Sequence, residues 1–472
     1  MLVMKFGGTS VKDADAIRRL TAIVAKARTA GTRTHAAVRG PIVVVSALAK
    51  VTDALLAIAT SAVNGNVDDI AALRARHHEV ASGVVRDAAK LGTLTQAIDS
   101  DLAELTTLVH ALTVVHDASP RLQDAIAAIG ELLSSRIVAA ALEQTGLPAT
   151  WVDARTVLVT DAESPAAPQM DDTRVRCREV LLPLIARGRV PVLGGFIGAT
   201  AAGVTTTLGR GGSDYSASIF GVGVGAEEIQ IWTDVDGMLT ADPRVIAAPR
   251  MLPRLSFAEA SELAYFGAKV LHPSTITPAV AEEIPVRILN SQRPDGAGTL
   301  ITRDGAADEP ALTAIACKRD VTVIDIVSTR MLMAHGFLRR LFEVFERHRT
   351  AVDVVTTSEV SVSVTIDDVR RIDAIVADLS TFAEVSVTGE MALVCAVGER
   401  LRTDPTLSAR VVGALDGFPL RMVSQAGSRR NVTFVLPQSD LVEAMQHLHE
   451  RFCIGASITT PAGTPATEQV TL

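Results

Sequence analysis

A chain of 472 residues is too long for one compact core, and 48% hydrophobic with 21% charged residues is the composition of a folded globular protein, not a disordered one. A net charge of −8 weighs against nucleic acid or an anionic membrane surface as partner, so local basic groups are expected to serve small anions. The four cysteines (Cys177, Cys317, Cys395, Cys453) lie far apart without a CxxC pair, which argues against a disulfide framework or zinc site and fits a reducing cytoplasm.

The chain opens on MLVMKFGGTSV (1–11), a hydrophobic run broken by paired glycines, which reads as a buried strand ending in a tight turn. It carries no signal-peptide pattern. Gly7 and Gly8 let backbone N–H groups approach an anion, and Lys5 stands at the mouth of the turn. A cation beside a glycine nest suits phosphate; a strand, a turn and a solvated lysine is the plain alternative. The P-loop spacing GxxxxGK(S/T) is absent. Residues 13–30 have the period of an amphipathic helix, with Ile17, Leu20, Ile23 and Val24 on one face. The run IVVVSALA (42–49) is the densest apolar stretch; none reaches membrane-spanning length, and this one supplies a core strand. Alternating strands and helices argue a parallel α/β sheet. Ser46 and Thr52 fall just past a strand end, where such sheets bind ligands, although helix capping explains either hydroxyl alone.

Residues 66–118 read as alanine-rich helix without evident chemistry, with His77 and His78 on a solvated face. Pro120 starts a long helix, buried through Ile126, Ile129, Leu133 and Ile137 and ended by Gly146 and Pro148. Glu131 and Ser134-Ser135 interrupt it; a carboxylate there suits a substrate ammonium, against the usual solvent exposure of a helical Glu. Strands at 149–152 and 190–193 follow. The stretch TTTLGRGGSD (205–214) joins three glycines, Arg210, several hydroxyls and a helix starting near Tyr215, an anion-binding constellation. GVGVGA (221–226) has the wrong spacing for a dinucleotide fingerprint. A strand at 229–232 leads to TDVDG (233–237) and ADPR (241–244), where turn chemistry alone accounts for Asp and Gly. A helical segment at 256–273 carries Lys269 as a second phosphate cation; the final strand of this part is expected at 285–289 and a domain boundary at 304–309.

The last third changes character. Strands at 312–317, 321–327, 352–356 and 360–366 alternate with helices at 337–348 and 369–379. Strands at 384–387, 392–397, near Met422 and at 432–436 then alternate with helices at 407–415 and 441–452. This is two rounds of a ferredoxin-like β-α-β-β-α-β pattern.

In this order, KFGGTSV, TTLGRGGSD, TDVDGMLTADPR, FGAKVLHP and TSEVSVS resemble the aspartate kinase family over nearly the whole chain. The resemblance implies an α/β amino-acid-kinase fold, a mostly parallel sheet between helices, for 1–303, and α+β ferredoxin-like tandem ACT domains over 310–472. It implies that the first ACT domain, about 328–395, is inserted in the second, so that 312–327 pairs with the segment after Val397. It further implies a cytoplasmic enzyme that uses ATP with Mg²⁺ on its phosphates, phosphorylates the side-chain carboxylate of L-aspartate, and forms a homodimer or larger homo-oligomer through ACT domains. No resident metal, nucleic acid or membrane is implied.

Carried over by position, Lys5, Gly7, Gly8 and Thr9 match the phosphate-contacting motif, and Ser46, Thr52, Glu131, Arg210 and Ser213 the aspartate side. Thr233, Asp234, Leu239, Asp242, Arg244 and Lys269 match the nucleotide side, and Lys5, Asp214 and Lys269 are the implied catalytic groups. Leu239 stands where the family usually has tyrosine beside the adenine. Met331, Gly336, Phe337, Val352, Asp353, Thr357, Ser358 and Glu359 match effector positions of the lysine-sensitive class, with Ala334 and Ala351 where that class commonly has serine. An aspartate side chain has a pKa of about 3.9 and attacks already ionised, so no general base is required. Two rivals are another kinase of this fold, acting on acetylglutamate, glutamate, carbamate or UMP, and a non-catalytic amino-acid sensor. The ACT domains and Glu131 beside Arg210 argue against the first; retention of Lys5, Arg210, Asp214 and Lys269 argues against the second.

Overall fold

The computed structural model describes residues 1–31, 40–66, 70–266, 273–305, 312–328, 335–404, 406–425 and 427–453. The chain divides into two units, Met1–Met238 with Met251–Ala306, and Leu239–Arg250 with Ala307–Leu472. A single boundary at 304–309 therefore misses one excursion: Leu239–Arg250 packs with the second unit.

The first unit begins β1 (Leu2–Phe6), α1 (Ala14–Gly31), β2 (Ile42–Val45), α2 (Val51–Val63), α3 (Ala71–Val84), α4 (Ala88–Val115) and α5 (Pro120–Gln144). It continues β3 (Ala149–Val152), β4 (Val159–Thr160), α6 (Met170–Arg176), α7 (Leu182–Ala186), β5 (Val190–Gly194), β6 (Ile197–Thr200), β7 (Thr205–Thr207) and α8 (Gly212–Val224). It closes with β8 (Glu228–Thr233), β9 (Arg254–Ser256), α9 (Phe257–Tyr265), α10 (Thr277–Ala281), β10 (Val286–Asn290) and β11 (Thr299–Thr302). Eight strands form one sheet in the order β3-β5-β2-β1-β8-β10-β11-β9. Its pairs are parallel except β10–β11. Helices cover both faces of a parallel sheet, so β1, β2 and β5 read as near-continuous apolar runs without alternation. Phe6 lies opposite both Val45 and Trp232, and Val45 opposite Gly194, which aligns the C-terminal ends of β5, β2, β1 and β8 along one edge.

Several expectations are corrected here. The strand at 285–289 is not the last of the unit, because β11 follows it and β9 pairs with β11. Thr205–Thr207 is a strand, and α8 starts at Gly212, ahead of Tyr215. Helix α5 is long and apolar enough to cross a membrane by length and composition, but most of it is buried inside the protein. His77 is not on a solvated face. It is fully buried, its Nδ1–H donates to Leu73 O at 2.6 Å, and its Nε2 has no partner.

The second unit contains β12 (Ala314–Val327), α11 (Phe337–Arg347), β13 (Val355–Thr357), β14 (Ser361–Ile366), α12 (Ile372–Ser380) and β15 (Glu384–Val397). α13 (Arg400–Thr403), α14 (Leu407–Gly413), β16 (Met422–Ser424), β17 (Asn431–Pro437) and α15 (Leu441–Leu448) follow. Its sheet runs β13-β14-β12-β15-β17-β16. β12 and β15 are each one strand of 14 residues where the sequence pattern suggests two. The polar interruptions are irregularities within the ladder: register shifts fall between Lys318 and Val323, and Asp320 and Glu390 take positive φ of 58° and 54°. β12 forms its strand ladders with β14 and β15, and β15 in turn pairs with β17; the N-terminal end of β12 meets the segment after Val397 through core packing and a Leu312 N–H bond to Phe452 O (3.2 Å). The two ends of β12 serve different cores. Leu312 and Ile315 pack with Val432, Phe434, Leu441 and Met445, whereas Ile324 and Ile326 pack with Leu341, Phe345, Val362 and Leu379.

Burial lowers the His77 pKa to about 4, from an ordinary 6.5. The unfolded chain binds the proton first, so stability is lost as pH falls from 6.5 towards 4. Replacing His77 by Leu is expected to shrink the stability difference between pH 7 and 4.5 by about 2 kcal/mol, as read by urea unfolding at each pH.

Candidate active site

The aligned strand ends bring together residues from six distant parts of the chain. Lys5 is 8% exposed at the end of β1, with its Nζ 2.5 Å from Asp214 Oδ1 in the first turn of α8. The pair fixes the ammonium beside the turn of Gly7 and Gly8, where a Cβ on Gly7 would lie 3.6 Å from Lys5 Nζ. Gly7 N–H donates to Trp232 O (3.0 Å), tying the turn to β8. Ser46 N–H donates to Phe6 O (3.0 Å), and Ser134 Oγ on α5 donates to Ser46 O (2.8 Å). The next residue, Ala47, donates its N–H to Glu131 Oε1 at 3.2 Å.

Glu131 is the most informative group. It is 3% exposed, on the buried side of α5, and its Oε2 has no hydrogen-bond partner. Burial raises its pKa from 4.5 to about 8, against the lowering effect of the Ala47 N–H. Close approach of β5 helps enclose it: a Cβ on Gly194 would stand 2.9 Å from Glu131 Cβ. Ser213 is buried at the start of α8. Gly211, at φ 72°, turns the chain into that helix, a left-handed conformation that favours glycine. In the first turn of α8, Gly212 N–H donates to Gly209 O (2.9 Å) and Asp214 N–H to Gly211 O (2.9 Å), and the positive end of the helix dipole lies beside Lys5 and Asp214.

Not every expected residue joins this cluster. Thr9 and Arg210 are exposed, and Arg210 makes no ion pair among the described residues; Thr52 is half-buried in the first turn of α2. Thr233 ends β8 and Asp234 is exposed just beyond it. Leu239, Asp242 and Arg244 belong to the second unit, where Ile315 N–H donates to Thr240 O (2.8 Å) and Arg244 chelates Asp242. Lys269 lies outside the described residues. Sequence reasoning missed the role of two hydroxyls. Ser10 Oγ and Ser291 Oγ are 2.7 Å apart in the interior; one hydroxyl donates to the other, which in turn donates to a carbonyl at the end of β8, Trp232 O (3.3 Å from Ser10 Oγ) or Thr233 O (3.1 Å from Ser291 Oγ). Ser10 stands inside the GGTS motif, so its position was legible; Ser291 had no local signal.

Among the effector positions, Met331 lies outside the described residues. Gly336 caps α11 at φ 85°, and the Phe337 ring meets Phe382 edge-on at 5.7 Å. Asp353 is ion-paired to Lys318 Nζ (2.8 Å), which also binds Asp367 (2.7 Å). Thr357, Ser358 and Glu359 are exposed, and Val352 is half-buried.

Residues 1–290 match the amino acid kinase family and residues 394–452 an ACT domain. Lysine-sensitive aspartokinase 3 of Escherichia coli is 35% identical over 459 residues, 95% of this chain and 98% of the relative. Aspartokinase 1, chloroplastic, of Arabidopsis thaliana is 34% identical over 478 residues, 95% of this chain and 80% of the relative. The chain belongs to the aspartokinase family. The crystal structure of E. coli aspartokinase III with lysine and aspartate superposes with a TM-score of 0.81 at 34% identity, covering 96% of this chain and 99% of that one. The same enzyme with aspartate and ADP gives 0.79, covering 95% and 99%. The enzyme is an aspartate kinase, which sets aside the sensor and the acetylglutamate kinase readings.

Tethering of the glycine turn by Ser10 and Ser291 makes a test. Ser10→Ala is expected to lower kcat roughly tenfold or more by loosening the turn, with the KM for aspartate little changed. Because the two hydroxyls act as one unit, Ser10→Ala/Ser291→Ala is expected to cost scarcely more than either single change, measured as a double-mutant cycle in kcat.

Proposed function

We propose that the cluster of Lys5, Ser46, Glu131, Ser213 and Asp214 is the aspartate and phosphate end of the active site, and that ATP is the donor. The buried, unpartnered Oε2 of Glu131 carries this reading, because a carboxyl group without a cation in an apolar core is matched by a substrate ammonium. Arg210, exposed in the loop before α8, grips the α-carboxylate through its planar fork. The substrate's side-chain carboxylate is then directed at the terminal phosphorus of ATP. It attacks in its ionised form; the bond to the bridging oxygen breaks, ADP leaves, and 4-phospho-L-aspartate forms. Lys5, the N–H groups of the glycine turn and the head of α8 stabilise charge on the transferring group. Lys269 is proposed as a second cation, and Leu239, Asp242 and Arg244 for the nucleotide side. Mg²⁺ carried on the ATP phosphates would neutralise part of their charge.

The high pKa of Glu131 gives the binding step a pH dependence with a definite sign. Below about 8 the free enzyme holds Glu131 neutral, and pairing with an ammonium requires that proton to leave. Aspartate binding is therefore expected to release up to one proton near pH 7, and the KM for aspartate to fall as pH rises towards 8. Calorimetry in buffers of different ionisation enthalpy measures the release; Glu131→Gln should abolish it and weaken aspartate binding without changing the KM for ATP.

We further propose feedback inhibition by lysine, a cytoplasmic location, and a homo-oligomer formed through the ACT domains. The support is the lysine-sensitive relative, the lysine-bound E. coli structure, and the acids Asp353 and Glu359 beside the matching effector positions. Lys318 already holds Asp353, so an effector ammonium has to share or displace that pair. Ala334 and Ala351 in place of serine remove hydrogen bonds worth about 0.5–1.5 kcal/mol each. Lysine is expected to inhibit the kinase while threonine and methionine do not, and Asp353→Ala to shift the lysine midpoint upward. Equal inhibition of the variant would remove Asp353 from the effector site.

A further inference from the structure

We infer that the second unit carries another ligand site, a pocket for a phosphate-bearing polyanion between the C-terminal end of α11 and the turn that leads into α12. Arg347, His348, Arg349, Asp368, Arg370 and Arg371 line a cavity of about 590 Å³. Four guanidinium groups there face one carboxylate. Arg370 engages that carboxylate, with Nε 2.9 and 3.1 Å from the two oxygens of Asp368 and Nη2 at 2.5 Å. Outside the lining, Asp378 receives Arg347 Nη1 at 2.9 Å and His348 Nε2 at 3.0 Å. Asp368 and Asp378 are thus committed, and Asp367, next in the chain, pairs with Lys318 (2.7 Å). Arg349 and Arg371 make no ion pair within 4.0 Å among the described residues, which leaves the group with two uncompensated charges in a chain of net charge −8.

The dipole at the end of α11 favours cations and accounts for Arg347 and His348. It does not account for Arg370 and Arg371, which arrive from the opposite side, ahead of α12, and add to the repulsion. Every unit cation in the lining is arginine and none is lysine. A planar fork with five donors matches tetrahedral oxyanions in pairs of hydrogen bonds, and two forks from two elements can hold two linked phosphate groups. The cavity is within the size range of small-ligand pockets. The ligand is accordingly a diphosphate or longer chain, free or as part of a nucleotide. The pocket is separate in sequence from every residue assigned above to aspartate, ATP or lysine.

The test titrates the full chain carrying Lys5→Ala, which weakens the proposed phosphate end of the kinase site, with sodium pyrophosphate by calorimetry at physiological ionic strength and saturating aspartate, in the absence of nucleotide. One saturable site per chain is expected, tighter for pyrophosphate than for inorganic phosphate. Arg349→Ala/Arg371→Ala is expected to weaken it about tenfold or more, the loss of at least one charge-assisted hydrogen bond. Arg349→Lys/Arg371→Lys keeps the charge without the fork, and is expected to weaken it less than the alanine pair but measurably. Displacement of pyrophosphate by ADP or ATP identifies a nucleotide as the source; its absence leaves a free polyphosphate. No saturable binding, equal affinity for phosphate and pyrophosphate, or unchanged affinity in the lysine pair would overturn the assignment. The lysine pair decides if the alanine pair does not fold.

Discussion

A carboxyl group sits on the buried side of α5 with one oxygen that has no hydrogen-bond partner, and the proposed substrate site is built around that group. The rise of the Glu131 pKa to about 8 corresponds to on the order of 5 kcal/mol of preference for the neutral form. Such a cost is tolerated where a ligand supplies the opposite charge, and it confers selectivity. A substrate lacking the ammonium leaves Glu131 protonated and makes no ion pair. The enclosing parts follow from this one constraint: β5 approaches through a glycine, and the loop after β2 lends a backbone N–H.

The parallel sheet explains why these parts meet. With β5, β2, β1 and β8 side by side and in register, their C-terminal ends release four connections over one edge, where an open α/β sheet binds its ligands. Lys5 is buried there only because Asp214 neutralises it. In the proposed site an arriving phosphate meets a lysine that is oriented by Asp214 and partly desolvated, which suits stabilisation of a transition state more than tight binding of the ground state.

Much of this was legible in the chain. Central strands of a parallel sheet declare themselves as unbroken apolar runs, and glycine-rich segments at their ends mark where the backbone must approach a ligand. Lys5, Glu131 and Asp214 were singled out on such signals and from the family motifs, and Lys5 and Asp214 lie side by side in the fold. What stayed hidden depended on partners remote in sequence. Ser291 has meaning only because β10 lies beside β8 and brings it to Ser10. His77 looked like a surface residue because α3 has little amphipathic contrast, and packing of α3 against α4 and α5 decided its burial. Short strands such as β9 and β11 carry too few residues to show a period.

The second unit shows how a polar interruption misleads a pattern-based reading. Lys318-Arg319-Asp320 has the composition of a turn, yet β12 runs through it as a bulged strand, and β15 does the same across the sheet. Two long strands shared by two cores couple those cores mechanically, because a shift along β12 moves Ile315 in one and Ile324 in the other. The same sheet also anchors Leu239–Arg250: Ile315 holds Thr240 by its backbone, His449 bonds the Thr240 hydroxyl, and Ala241, Val245 and Ile246 fill the core beneath. The chain leaves the first unit after Met238 and returns at Met251. The conformation of this segment is therefore set by packing in the second unit, although its Asp242 and Arg244 belong to the motif matched to the nucleotide. An effector that favours one arrangement of the shared strands over another acts on that segment through its differential affinity alone, with no need to touch the substrate.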